Sequence, residues 1–206
     1  MPAAPTLSEQ KRAAILQAAI SEFSQHGFQA TSMDRLAAVA QVSKRTVYNH
    51  FASKDELFLA MVQHLIALLS NAISVRYQPD RPLKQQLSEI AAQEMALLTD
   101  ADFILLSRTL MGEAIHSEQV ALLVAQEIGK SASQLQAWIQ AAREDGRLAL
   151  DDVELAANQF LSLLKSSAFW PQLLMRRPAL DAAQQQRCID TSVRMFLSCY
   201  APAELA

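Results

Sequence analysis

Helix start signals recur along this chain at one spacing. Thr6 stands three residues before Glu9, Ser53 three before Glu56 and Asp181 three before Gln184, the offset at which a small polar side chain and a Glu or Gln satisfy each other's free backbone N–H groups. Chain breakers are scarce, with four Gly and seven Pro in 206 residues. Ala, Leu and Gln fill the stretches between them, and only 6% of the residues are aromatic. A chain written this way predicts an all-α protein, long enough to bury a helical core unaided.

The apolar set Ile15, Leu16, Ala19, Ile20 and Phe23 follows the first cap at helical period until Gly27, which predicts a first helix. Thr31, three before Asp34, opens a short second helix carrying Met33, Leu36, Ala37 and Ala40. Ser43 caps a third through His50, and Ser53 a long fourth to about Val75. The segment "RYQPDRP" reads as a turn, and a fifth helix follows from about Leu83 to Leu98. A sixth, capped by Asp100 or Asp102, runs through Met111. A seventh spans Ser117 to Gly146, with Gly129 the candidate for a break or bend, and two more run from Asp152 to Trp170, stopped by Pro171, and from Asp181 to Tyr200. About nine helices are expected.

Two short helices three residues apart, the second opening at a Ser, have the layout of a helix-turn-helix. At 100° per residue Val47 and Phe51 lie within about 40° of each other and, with Val42, mark the buried side of the third helix. Arg45, Thr46 and Asn49 point the other way, and Arg and Asn carry the forks that match guanine and adenine in the major groove. Lys44 and Tyr48 flank that face, and His50 lies on the opposite flank. Thr31, Ser32 and Lys54 stand beside helix N-termini and are expected to clamp phosphates. The net charge of −3 does not oppose this, because from Phe28 to Lys54 four basic residues face Asp34 alone and the attraction is local.

The stretch "GFQATSMDRLAAVAQVSKRTVYNHFASKDELFLAMV" resembles the DNA-binding domain of the TetR/AcrR family of transcriptional regulators. The resemblance rests on Ala30-Thr31, Ala37, Ala40, Val42-Ser43, the Tyr48 and Phe51 pair, and Ser53-Lys54 followed by Leu57-Phe58. One position departs: Gln41 stands in the turn where the family usually has Gly, and a Cβ at positive φ is costly. Farther on, "AAREDGRLALDDVELAANQFLSLL" and "VRMFLSCYAP" are loosely similar to AcrR-like members. The resemblance implies a DNA-binding domain over 8–56 and a ligand-binding and dimerisation domain over 57–203. It also implies a homodimer whose third helices read palindromic double-stranded DNA, and an effector pocket in each larger domain. The apolar residues around the Phe160 to Trp170 helix and along the last helix support pairing of these two helices with a second copy. The expected function is that of a dimeric repressor released by a small apolar or amphipathic molecule, the alternatives being a protein-gated regulator of the same fold or an activator.

Met95, Phe103, Met111, Trp138 and Phe169 are candidate pocket walls, with His116 a polar contact. No metal-ligand spacing, nucleophile elbow or phosphate-cradling Gly loop occurs, so no cofactor, metal or enzymatic activity is expected. No run of 18 apolar residues exists and the N-terminus lacks the order of a secretory signal, so a cytoplasmic protein without a membrane partner is expected. Cys188 and Cys199 lie about 16 Å apart along one helix and cannot pair within it.

Overall fold

The Thr6 and Glu9 pair closes as the spacing predicts: Glu9 N–H donates to Thr6 Oγ1 at 3.2 Å and Thr6 N–H to the Glu9 carboxylate at 2.7 Å. The computed structural model describes residues 6–129 and 134–202. Among these it has eleven α-helices and no strand: α1 Leu7–His26, α2 Met33–Val39, α3 Lys44–His50, α4 Lys54–Asn71, α5 Leu83–Leu98, α6 Ala101–His116, α7 Glu118–Gly129, α8 Gln134–Glu144, α9 Val153–Ala168, α10 Trp170–Met175 and α11 Ala182–Tyr200.

The count exceeds nine for two reasons. The helix expected over 117–146 is divided into α7 and α8, with residues 130–133 outside the described ones. Pro171 does not end a helix; it sits in the first turn of the short α10, where a missing N–H costs nothing. The Asp181 box closes as expected. At Ser53 only half of it does, because the Glu56 carboxylate takes the N–H of Ala52 instead.

The chain forms two compact units, one of residues up to Ile66 together with Leu105–Ile128, the other of Ala67–Ile104 together with residues from Gly129 onward. The expected boundary between 56 and 57 falls within α4. In the first unit α1, α2 and α3 pack on one another around Ile15, Ala19, Leu36 and Val47, with Leu57, Met61 and Val62 of α4 also fully buried. Each large side chain so buried contributes roughly 1.5–3 kcal/mol.

In the second unit α5 packs on α11 and α9, and α8 and α10 pack on α9. Its buried stripe runs Leu83, Gln86, Leu87, Ile90, Ala91, Glu94, Met95 and Leu98. Gln86 organises the "RYQPDRP" turn: its amide donates to the carbonyls of Gln78 and Arg81 at 2.8 and 2.9 Å and accepts from Gln78 N–H and Trp138 Nε1–H at 2.9 and 3.2 Å. Arg147 donates to the carbonyls of Pro79 and Arg81. Glu94 differs from Gln86 in having no hydrogen bond from any described residue at 3% exposure. Burial pushes its carboxyl above the ordinary range, with only Lys165 pulling it back.

Candidate nucleic-acid interface

The turn between α2 and α3 follows from the backbone of one residue. Gln41 adopts φ 56°, which turns the chain so that Val42 N–H reaches the Ala37 carbonyl at 3.0 Å, beside the bond from Gln41 N–H to the Ala38 carbonyl at 3.2 Å. These are the paired bonds of a Schellman ending, normally given to glycine. Ser43 then caps α3 by accepting from Thr46 N–H at 3.1 Å.

Val47 is fully buried and Phe51 1% exposed, so they anchor α3 as its periodicity requires. On the opposite side Arg45 and Asn49 are exposed, as is Tyr48 on the flank, and no described residue bonds the Arg45 guanidinium or the Asn49 amide. Thr46 is half-buried, its hydroxyl 2.8 Å from Ser43 Oγ, and His50 is half-buried as well. Lys44 is exposed but engaged: its ammonium lies 2.7 Å from Asp34, and that hydrogen bond raises its pKa. The pair ties α3 to α2, so a phosphate would have to compete with Asp34.

Two expected phosphate clamps are spent inside the fold. Thr31 is neither the cap of α2 nor at the surface; at 2% exposure its hydroxyl donates to the Gly27 carbonyl at 3.0 Å. Ser32 takes the cap, accepting from Arg35 N–H at 3.2 Å, which leaves its O–H available. Lys54 turns its ammonium inward to the carbonyls of Phe28, Thr31 and Gln29 at 2.6, 3.1 and 3.3 Å and 4.4 Å from the Phe28 ring centroid. Three acceptors use three ammonium hydrogens, so Lys54 is a clasp on the α1–α2 loop and its side chain has none left for phosphate.

Sequence reasoning missed two groups here. Arg35 bonds the buried Glu22 carboxylate and, at 2.8 Å, His26 Nε2, joining α2 to α1. Glu113 of α6 accepts from Phe28 N–H at 3.0 Å. A Glu at an apolar position of an amphipathic helix could have flagged Glu22. Nothing local signals Glu113.

The six candidate effector contacts are not gathered into one site within either unit. Met95, Phe103, Trp138 and Phe169 are buried in the second unit, Phe103 and Phe169 with ring centroids 5.9 Å apart. Trp138 has its one polar group committed to Gln86, as a core residue does. Met111 and His116 are exposed and belong to the first unit. Among the described residues no group of three His, Cys, Asp or Glu side chains can hold a metal, and no helix is long and apolar enough to cross a membrane.

The outward faces of α9 and α11 are less apolar than their sequences imply. Leu155 and Met195 are about half exposed, but Asn158, Gln159, Ser162 and Ser166 also face outward. Two open grooves meet there at Leu163 and Met195, of 520 Å³ beside Gln159 and Cys199 and of 390 Å³ beside Ser166 and Cys188. Both cysteines are free thiols, Cys188 half-buried and Cys199 exposed.

Residues 15–61 match the family described as "Bacterial regulatory proteins, tetR family", and residues 85–202 match "AefR-like transcriptional repressor, C-terminal domain". A solved TetR family transcriptional regulator from Pseudomonas syringae pv. tomato is 45% identical, over 93% of this chain and 97% of that one, with a TM-score of 0.85. A solved structure titled "Flavonoid-responsive Regulator FrrA" is 27% identical over 94% and 98%, with a TM-score of 0.74. An HTH-type transcriptional repressor of Streptomyces coelicolor is 38% identical over 72 residues, 35% of this chain. The chain spans 36% of the length of that curated relative and 42% of that of a second, from Bacillus subtilis.

Proposed function

The chain belongs to the TetR family of transcriptional regulators, and from that premise we propose that it is a dimeric repressor whose paired α3 helices read a palindromic operator. The observation that carries this reading is the division of α3 into a buried face, Val47 with Phe51, and a free face bearing Arg45 and Asn49, with Tyr48 exposed on its flank. Arg45 and Asn49 are the base readers. Tyr48, Ser32 and Lys44, once released from Asp34, take phosphate. Thr46 and His50 border the reading face. A fold presents such a helix in a fixed orientation only when its other face is packed, and the burial of Val47 and Phe51 supports that role.

The grooved faces of α9 and α11 meet their counterparts on a second copy. Leu155 and Met195 supply apolar contact, and the small polar residues between them supply close approach. Half-sites then lie about one helical turn apart or a multiple of it. The effector is a small amphipathic aromatic molecule bound in the second unit among Met95, Phe103 and Phe169; the flavonoid response in the name of one relative supports that class. It releases DNA by favouring a dimer with the wrong separation of recognition helices, and only by its differential affinity for the two forms.

Selection from a random duplex library at near-physiological salt tests the reading without a guess at target or effector. An enriched palindrome is the expected result. An enriched single half-site would remove the dimer, and a retained pool identical to the input would remove sequence recognition.

A further inference from the structure

The loop from Gly27 to Ser32 leads from α1 into α2 and so sets where the helix-turn-helix begins. Its polar backbone groups find partners far along the chain. Phe28 N–H donates to Glu113 Oε1 on α6, 85 residues away, at 3.0 Å, and the Phe28 carbonyl accepts from Lys54 Nζ on α4 at 2.6 Å. The Phe28 ring is held edge-on by Phe23 of α1 and Phe58 of α4, with centroids 5.2 and 5.4 Å away. All of these residues belong to the same compact unit.

An N–H donated to a carboxylate is about twice as strong as a bond between neutral groups, and a half-buried loop amide has no helical or strand partner to replace it. Coulomb's law alone says the reverse of what this geometry says. A carboxylate on a unit that approaches phosphate repels it, so deleting the charge should tighten DNA binding. If instead Glu113 holds the loop, deleting it should loosen the entry to α2 and weaken binding.

We propose that Glu113 is a positioning residue for DNA binding: through the Phe28 amide it fixes the α1–α2 loop, and with Lys54 it sets the placement of α2 and thereby of α3. The inference rests on the DNA-binding reading given above. Glu113 touches no DNA in this scheme, and the DNA-reading unit therefore includes a segment of α6 remote from it in sequence.

The test compares Glu113→Ala with Glu113→Gln, which loses the charge but keeps an acceptor oxygen. Binding of the selected duplex is titrated across a salt series, and amide exchange is followed at residues 27–32. Glu113→Ala is expected to bind about tenfold more weakly, as loss of a charge-assisted hydrogen bond implies, with an unchanged salt slope and faster exchange at Phe28. Glu113→Gln, which keeps a neutral acceptor, is expected to restore most of the affinity and protection. Equal or tighter binding by the Ala variant, or a Gln variant as weak as Ala, overturns the role. If the Ala variant does not fold, unchanged Phe28 protection in Glu113→Gln supports the bond and accelerated exchange there overturns it. A wild type that binds no duplex even at low salt would remove the DNA reading itself, a failure distinct from loss of the Ala and Gln contrast in a protein that binds.

Discussion

Arg45 and Lys54 are both basic, both near the N-terminus of a helix, and opposite in use. The Arg45 side chain leaves α3 with no bond to any described residue, whereas the Lys54 ammonium is enclosed by three carbonyls and an aromatic face. Arg45→Ala is therefore expected to relax base preference at one position of each half-site and to cost ~1–3 kcal/mol on the preferred duplex, with little change in melting temperature. Lys54→Ala should do the converse in the free protein, lowering its melting temperature by leaving the part-buried Phe28 and Thr31 carbonyls without that donor, at about 1 kcal/mol. Competition titrations on matched and mismatched duplexes, alongside thermal melts, separate the two. A Lys54 variant that melts like wild type and loses about one unit of salt slope would restore the phosphate role that the geometry denies it.

At the scale of the elements, caps and periods carry most of the outcome. Thr6, Ser43 and Asp181 start helices where their spacing says they should, and Val47 and Phe51 are inward as 100° per residue requires. Pro171 was legible as a boundary but ambiguous as to which side of it is helical, since the residue tolerates a first turn and prevents an interior one. Gln41 is the local cost in this pattern. Its left-handed backbone burdens a side chain by roughly 1–2 kcal/mol, partly offset because a glycine there would lose more chain entropy on folding. Gln41→Gly should accordingly stabilise the turn by about 0.5–1 kcal/mol and raise the melting temperature by roughly 2–3 °C. DNA affinity at 25 °C should stay near wild type. A lower melting temperature would mean that the Gln41 side chain itself supports the turn.

The whole molecule bears one burden that no single element shows. Glu94 lies on the core stripe of α5, its carboxyl held above its ordinary pKa of 4.5 by burial, against the opposing charge of Lys165 on α9. Because the folded state holds this proton more tightly than the unfolded chain, the associated stability is complete below pH 4.5 and is lost as pH rises toward the folded pKa. Glu94→Gln does not titrate, so its melting temperature should exceed that of wild type by a margin that is small near pH 4.5 and widens toward neutrality. Parallel melts over pH 4–8 would show a constant or narrowing margin if Glu94 were instead stabilised as a carboxylate.

The sequence by itself determined the all-helical class, the helix-turn-helix and the two faces of α3, because caps and amphipathic periods act over three or four residues and are written contiguously. Only the tertiary structure decided which polar groups remain for a partner. Thr31 and Lys54 are consumed by the α1–α2 loop, Lys44 is shared with Asp34, and Glu113 reaches back to Phe28. Four of the six expected effector contacts lie in one unit and two in the other. Such assignments depend on backbone carbonyls and amides left unpaired by loops. Their partners come from whichever helix the fold brings alongside, a choice made by packing rather than by sequence spacing.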